Sequence, residues 1–581
     1  MRHVPDRQVV FRVVRRWLQS ETRVLFTLTL VVGALGGLAA VGFHLSIDMV
    51  AHRLLDPLLA RPLSQRLALI PLLLIAVGLV VGLLLERVVP FARGSGIPEV
   101  KTAYAFGPGA QLSARTAAGK FVLGALSIGS GFSLGREGPT VQICAAIGAA
   151  VGTLTRRPLA VVKALISVGA AAGIAAAFNT PIAAITFAME EVIGDLNQRL
   201  VGAIVVASVA AAVVERAILG GRPALAVPAY SLGNWKELFA YAGLGATAGL
   251  GAAVFVQGLL SVRRAVRGLT ALPLWARPAV GGVGMAAIGL LLPQTFGIGY
   301  TTLSSALLGR MSWPAMATLS AGKMAATITS YGWGLSGGIF APTLVVGATL
   351  GGAFAHLVHP FAGPSVETVG SFALVGMGAF FAGAIRAPIT SILIIFEMTG
   401  DYAIILPLMI SNSISFTLAS RLHPVPIYDA LLHQDGVPIP EHHTQRELRA
   451  ITVGQAMRTD LAPAHVDDAI GDVRRRLEQS GARALAVIDR AGQLHGIVGR
   501  RELALADGPS RAAGDVARRD VVTVFADQSL DLALLKLGRL SVRQAPVVSR
   551  LAPGEVVGML SLEDISVAIH HLSSTSIHAR A

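Results

Sequence analysis

The chain carries a single cysteine, Cys144, in 581 residues. That excludes a disulfide framework and any cysteine-rich metal centre. Charge is scarce as well. Only 14% of residues are Asp, Glu, Lys or Arg, against about 25% in ordinary soluble domains. Acids are fewer than bases, 34 against 48. Catalytic phrases are missing too. There is no P-loop, no His-Glu-x-x-His pair and no nucleophile constellation, so the sequence does not read as an enzyme.

What remains is apolar. Hydrophobic residues make up 53% of the chain and glycine 64 positions, with a mean hydropathy of +0.64. This composition excludes a disordered or simple soluble protein. It points to an all-α polytopic membrane protein with a smaller water-soluble part. The net charge of +14 fits Lys and Arg flanking the spans on the cytoplasmic side. No nucleic-acid recognition motif accompanies it, so nucleic acid is not an expected partner. Arg2, Arg7, Arg12, Arg15 and Arg16 precede the first apolar stretch. That stretch is too long for a signal peptide, and the basic cluster places segment 1–21 in the cytoplasm. Compact loops and the lack of a targeting signal suggest a prokaryotic inner (plasma) membrane, with both termini cytoplasmic.

Residues 23–50 and 66–90 are apolar runs long enough to cross about 30 Å of hydrocarbon as helices. After Phe91 the pattern changes. Apolar segments become short and are cut by Gly and Pro at 96–106, 115–130, 138–154, 160–177, 181–193 and 200–219, and again from 236 to 420. Broken helices meeting inside a bilayer read this way, and the breaks in both halves hint at an inverted repeat. A break is tolerated only where it is buried in protein or lines a cavity. The breaks are therefore candidate functional sites. The membrane region spans 22–435, and a polar linker follows at 436–449.

The tail reads as a cytosolic α/β region of two similar modules, 450–508 and 509–575, with residues 576–581 beyond them. Its phrases GIVGRREL (496–503) and GMLSLEDI (558–565) repeat at about 62 residues.

Three Gly/Pro phrases stand at helix breaks: GSGIPEV (94–100), GREGP (135–139) and GGIFAP (337–342). Gly followed by Pro describes a helix start. A helix start exposes unpaired N–H groups and about half a positive charge. Several aimed at one point bind an anion without a full cation, which lets the ion leave again. Each phrase alone also fits a tight turn.

The trio resembles the signature of the CLC family of chloride channels and chloride/proton exchangers, over about residues 20–435. The tail resembles the CBS-domain pair that many members carry. The resemblance implies a homodimer in the lipid bilayer, with one anion pathway per subunit. It also implies two inverted halves of tilted, unequal helices. It implies that the Ser95 and Tyr428 hydroxyls and the backbone N–H groups of Ile339 and Phe340 hold the anion, with Ser95 favouring chloride over nitrate.

Glu137 sits in an apolar surround. A carboxylate at mid-bilayer costs about 2.5–3.5 kcal/mol on insertion scales, so it needs a function or a partner. A carboxylate can plug an anion site and leave it on protonation. The resemblance assigns Glu137 this gate and external-proton role. Glu190 and Glu191 end the run 176–192 and face different directions on a helix. The resemblance makes Glu191 the internal proton-transfer acid, and Glu190 an acid shared by channels and exchangers. Arg136 either draws anions to the pathway or anchors its segment. Lys120 either snorkels or adds positive potential near the anion path.

Other candidates read as structural. Arg386 is one. The pairs His356/His359 and His442/His443 lack a metal-ligand constellation, so no metal is expected. Gly245 and Gly249 form a small-xxx-small helix-packing pair. In the tail, the resemblance implies an adenosine nucleotide between the modules, contacted by Ser561 and Asp564. Gly499 and Glu502 stand at the corresponding places of the first module, and a ligand-free dimerisation module is the alternative. No cofactor is required for transport.

The reading is therefore voltage-influenced chloride/proton exchange. A passive gated chloride channel shares the anion site and differs only in proton coupling. A nucleotide-sensing regulatory membrane protein acting through its tail is the third reading.

Overall fold

The computed structural model describes residues 21–194, 198–220, 237–362, 366–437, 448, 451–499, 502–503, 511–539, 542–552, 554–565 and 567–568. The chain divides into two compact units, Met1–Ile439 and Pro440–Ala581.

The first unit is helical and contains a duplicated series. Its first half runs α1 (Glu21–Val50), α2 (Leu63–Arg87), α3 (Ile97–Phe106), α4 (Ala114–Gly129), α5 (Glu137–Leu154), α6 (Leu159–Phe178), α7 (Pro181–Phe187) and α8 (Gln198–Leu219). The second half repeats the order as α9 (Glu237–Gly268), α10 (Arg277–Leu291), α11 (Tyr300–Leu307), α12 (Trp313–Gly332), α13 (Phe340–Ala362), α14 (Val366–Ile385), α15 (Pro388–Thr399) and α16 (Ile405–Leu422). A last helix, α17, covers Ile427–Gln434. Among the described residues, seven helices are long and apolar enough to cross a membrane. The chain is an integral multi-pass membrane protein, and the inverted repeat hinted at by the helix breaks is present.

Local chemistry sets the short elements. Pro stands in the first turn of α3, α7, α10, α12 and α15, where its missing N–H costs nothing. Asn179 ends α6 and Gly400 ends α15 in the left-handed conformation, which stops a helix. Among the described residues, two wide π-type turns occur, Ala51–Leu55 after α1 and Ala188–Ile193 after α7.

Small residues bring the helices together. A methyl group at Gly148 would lie 2.0 Å from the Leu165 carbonyl oxygen, and one at Gly351 would lie 2.1 Å from that of Phe372. The α5–α6 contact and its counterpart α13–α14 therefore need glycine at matching positions. Close backbone approach is the usual basis of helix association in lipid.

Among its described residues, the second unit holds two three-stranded sheets. In the first, β1 (Ala464–His465) pairs in parallel with β2 (Ala484–Ile488), which pairs antiparallel with β3 (Leu494–Gly499). In the second, β4 (Val524–Phe525), β5 (Gln544–Val548) and β6 (Val556–Ser561) repeat this pattern. An amphipathic helix crosses between the first two strands of each, Ile470–Ser480 and Leu530–Arg539. The sequence reading missed the two-residue strands β1 and β4, which are too short to show a period. The modules also exchange their entry segments. Val453 is buried with Val524, Leu530 and Leu537 of the second core, and Ala513 with Ala464, Ile470 and Val473 of the first.

Candidate functional site

The three Gly/Pro phrases meet through backbone hydrogen bonds. Gly94 N–H donates to Leu335 O at 3.0 Å, and Gly337 N–H donates to Gly94 O at 3.0 Å. Gly135 and Gly338 exchange two N–H···O bonds of 2.7 Å each. That reciprocal bridge relates the start of α5 to the start of α13 as a local two-fold pair. Helix α3 begins after Gly96, at φ +100°, and its counterpart α11 begins after Gly299, at φ +96°. Both positions are left-handed, where glycine is strain-free.

Two side-chain hydroxyls are buried here without partners. Ser95 is 1% exposed and Tyr428 is 0% exposed. They face each other, and neither hydroxyl has any other hydrogen-bond partner among the described residues. A buried O–H left unpaired is disfavoured by about 1–3 kcal/mol. Two side by side leave O–H donors available to a ligand. Ile339 and Phe340 stand at the start of α13, where N–H groups have no intrahelical acceptor. The Phe340 ring fixes that helix end. Its centroid lies 5.0 Å from Phe178, 5.8 Å from Phe187 and 4.4 Å from Phe381.

Glu137 is fully buried and points at the start of α13. Its Oε2 accepts from Ala341 N–H at 3.3 Å, and its Oε1 accepts from the Tyr300 hydroxyl at 2.9 Å. A carboxylate of one half thus occupies the N-terminus of the matching helix in the other. Phe340 stands at the position equivalent to Glu137, so the two-fold pair is asymmetric and only one acid is present. Beside it, Arg136 hydrogen-bonds His44, donates to Ala177 O at 3.0 Å, and lies 5.3 Å from the Tyr300 ring centroid. Those contacts anchor the segment.

Lys120 is fully buried. Its Nζ donates to Ala92 O at 3.1 Å and to Gly94 O at 2.6 Å, carbonyls 28 and 26 residues earlier in the chain. Lys323 repeats this. Its Nζ donates to Thr295 O at 3.0 Å and Gly297 O at 2.7 Å, again 28 and 26 residues earlier. One lysine braces the loop that presents Ser95; the other braces the loop that presents Tyr300.

The adjacent acids Glu190 and Glu191 part company. Glu190 accepts from Ile389 N–H at 3.2 Å and from Thr390 N–H at 2.8 Å, capping α15. Glu397, near the end of α15, accepts from Ile182 N–H at 3.0 Å and Ala183 N–H at 2.7 Å, capping α7. The two caps are reciprocal, a second mark of the two-fold relation. Glu191 turns inward. Its Oε1 accepts from Lys101 Nζ at 2.9 Å, and Lys101 also pairs with Asp429 at 2.6 Å.

Several of these partners are absent from the sequence reading. Tyr300, Lys323, Glu397, Lys101 and Asp429 were all passed over. Lys101 was discoverable as a lone cation within the apolar segment 96–106, and Asp429 as the neighbour of Tyr428. Lys323 and Glu397 become visible only once the two halves are aligned.

Of the residues read as structural, Arg386 and the glycine pair have ordinary partners, whereas the buried His356 Nε2 has no hydrogen-bond partner among the described residues. Arg386 hydrogen-bonds Ser420 and donates to Gly383 O, Ala419 O and His423 O. Gly245 and Gly249 lie against the Ser411 and Ser415 backbone of α16. His442, His443 and the His359 side chain lie outside the described residues. Among the described residues no group of His, Cys, Asp and Glu is arranged to hold a metal.

In the tail, Ser561 N–H and Oγ–H both donate to Asp564 Oδ2, at 2.8 and 2.6 Å. Gly499 N–H donates to Glu502 Oε2 at 3.0 Å at the matching place. Each acid caps the turn after its last strand. A nucleotide would have to share Asp564 with that cap, and the first module offers no hydroxyl beside Glu502.

Comparison with known proteins agrees with this geometry. The family described as "Voltage gated chloride channel" matches residues 77–420, and the CBS domain matches 453–508 and 513–571. The H(+)/Cl(-) exchange transporter ClcA of Vibrio campbellii is 33% identical over 451 residues, covering 74% of this chain and 94% of that protein. ClcA of Vibrio cholerae is 34% identical over 441 residues, covering 73% and 92%. The crystal structure of a slow cyanobacterial Cl-/H+ antiporter matches with a TM-score of 0.64 and 27% identity, over 71% of this chain and 97% of that one. A eukaryotic CLC transporter shares the fold, with a TM-score of 0.66 over 93% of this chain, at 20% identity.

Proposed function

The chain belongs to the voltage-gated chloride channel (CLC) family, and from that premise we propose that it exchanges chloride for protons. Each subunit of a homodimer would carry its own pathway. The observation that carries the reading is the placement of Glu137. Its carboxylate accepts from Ala341 N–H and the Tyr300 hydroxyl, at a helix start beside two unpaired hydroxyls.

An ionised carboxylate and a chloride ion make the same demands on such a site. Both are monoanions that accept hydrogen bonds from N–H and O–H groups. Glu137 therefore competes with the transported ion. Protonation removes its charge and its claim on the donors, so it leaves and chloride enters. Ser95, Tyr428 and the N–H groups of Ile339 and Phe340 hold the ion. The proton that Glu137 carries passes by way of Glu191, the buried acid held by Lys101. Arg136 anchors the gate segment, and Lys120 braces the Ser95 loop and adds positive potential near the path. Opposite movement of an anion and a proton moves net charge, so membrane voltage influences the rate. The names of the Vibrio relatives support exchange over passive conduction.

The protein sits in a prokaryotic plasma membrane with both termini cytoplasmic. Transport itself needs no cofactor. An adenosine nucleotide binds between the tail modules, with Asp564 and Ser561 contacting it, and tunes transport. Loss of ATP-analogue binding in Asp564→Ala, read by calorimetry, tests that assignment. The gate is tested by Glu137→Gln in proteoliposomes. That variant keeps chloride flux and loses both its pH dependence and proton coupling. Unchanged coupling would overturn the assignment.

A further inference from the structure

Lys101 joins three parts of the site that no single element connects. Its Nζ lies 2.9 Å from Glu191 Oε1 and 2.6 Å from Asp429 Oδ1. Glu191 comes from the wide turn after α7. Lys101 lies on α3, the helix that begins two residues after Ser95. Asp429 follows Tyr428 directly on α17. One ammonium therefore ties the proposed proton acid to both helices that present the anion-site hydroxyls.

The charge arithmetic gives this bridge a consequence. With Glu191 ionised, one cation serves two carboxylates. With Glu191 protonated, one cation serves one carboxylate. A buried cation that has a carboxylate partner is strongly disfavoured when that partner is removed and nothing replaces it. Asp429 is the more exposed acid, at 32% against 5% for Glu191, and it supplies that second partner. Glu191 can then take up or release its proton while Lys101 stays paired. Glu190, the remaining acid beside Glu191, is committed to the start of α15 and cannot substitute.

Each change of charge at Glu191 shifts the balance of attraction on Lys101 towards or away from Asp429. Asp429 is one residue from the Tyr428 hydroxyl, and Lys101 shares a rigid ten-residue helix with the Ser95 end of the site. Resting on the exchange reading above, we propose that Lys101 and Asp429 form a counter-ion switch that couples proton occupancy of Glu191 to anion binding at Tyr428 and Ser95. They are positioning residues. Neither contacts the anion or carries the transported proton.

The test compares wild type with Lys101→Met, Asp429→Asn, the double variant and Lys101→Arg in proteoliposomes. Proton and chloride movements are recorded together. The proton-to-chloride ratio is expected to fall several-fold in each single neutral variant. The double variant should fall no further than the worse single one, since both remove the same network. Lys101→Arg keeps the cation and should recover most of the ratio. It also separates loss of coupling from loss of folding. A wild-type ratio in both neutral variants, or losses that multiply in the double variant, would overturn the switch. Wild-type protein that moves no protons would overturn the exchange reading itself, and the switch with it.

Discussion

The Tyr300 hydroxyl donates a 2.9 Å hydrogen bond to Oε1 of Glu137, across 163 residues of chain. The donor comes from the second half of the membrane unit and the acceptor from the first. The same carboxylate also accepts from Ala341 N–H, and Arg136 lies over the Tyr300 ring. Tyr300 therefore holds the acid in place at the start of α13, the position in which the proposed gate would block the anion.

Tyr300→Phe removes a hydrogen bond to a charged group, worth about 1.5–3 kcal/mol. The blocked state loses that support. Chloride turnover at neutral pH should rise several-fold in efflux measurements, and the gain from acidification should shrink. In a Glu137→Gln background the same substitution should change little. An equal effect in both backgrounds would show that Tyr300 acts elsewhere.

Ser95→Ala and Tyr428→Phe each delete one unpaired buried hydroxyl. If these groups donate to the anion, each deletion should weaken chloride binding about tenfold, from the usual value of a hydrogen bond to a charge. Calorimetric titration in the Glu137→Gln background reads this without competition from the gate. Unaltered affinity would remove the hydroxyl from the site.

Much of this was legible in the sequence because glycine and proline mark helix starts directly. The phrases at 94–100, 135–139 and 337–342 lie where three helices begin, and the structure ties them by backbone bonds. Other features left no local trace. A hydroxyl such as that of Tyr300 looks like any aromatic at a helix start until the second half is folded onto the first. Lys120 was legible as an interruption of an apolar run, but its two carbonyl partners depend on tertiary packing. Glu190 and Glu191 were separable by helical geometry alone. Their partners, Thr390 and Lys101, were not.

The lysine pair offers a symmetric test. Lys120→Met and Lys323→Met each strand two carbonyls, and each stranded group costs about 1–3 kcal/mol when buried. Both variants should unfold at lower temperature in detergent. Their functional effects should differ. Loss of Lys120 loosens the Ser95 loop and should weaken chloride binding. Loss of Lys323 loosens the Tyr300 loop and should mimic Tyr300→Phe.

The reciprocal caps can be separated from the proton route. Glu190→Gln and Glu397→Gln each weaken charge-assisted caps, at a cost of about 1–2 kcal/mol, seen as reduced thermal stability. Neither acid is assigned to carry protons, so the proton-to-chloride ratio should hold in both. Glu191→Ala should abolish proton movement. Loss of coupling in Glu190→Gln would place the proton route at the wrong acid.

The most direct measurement is proton movement under an imposed chloride gradient. Purified protein would be reconstituted in liposomes, with membrane potential clamped by potassium and valinomycin. The expected result is uphill proton transport driven by chloride, absent from Glu191→Ala. Chloride flux without proton movement would contradict the account and make the protein a passive chloride pathway.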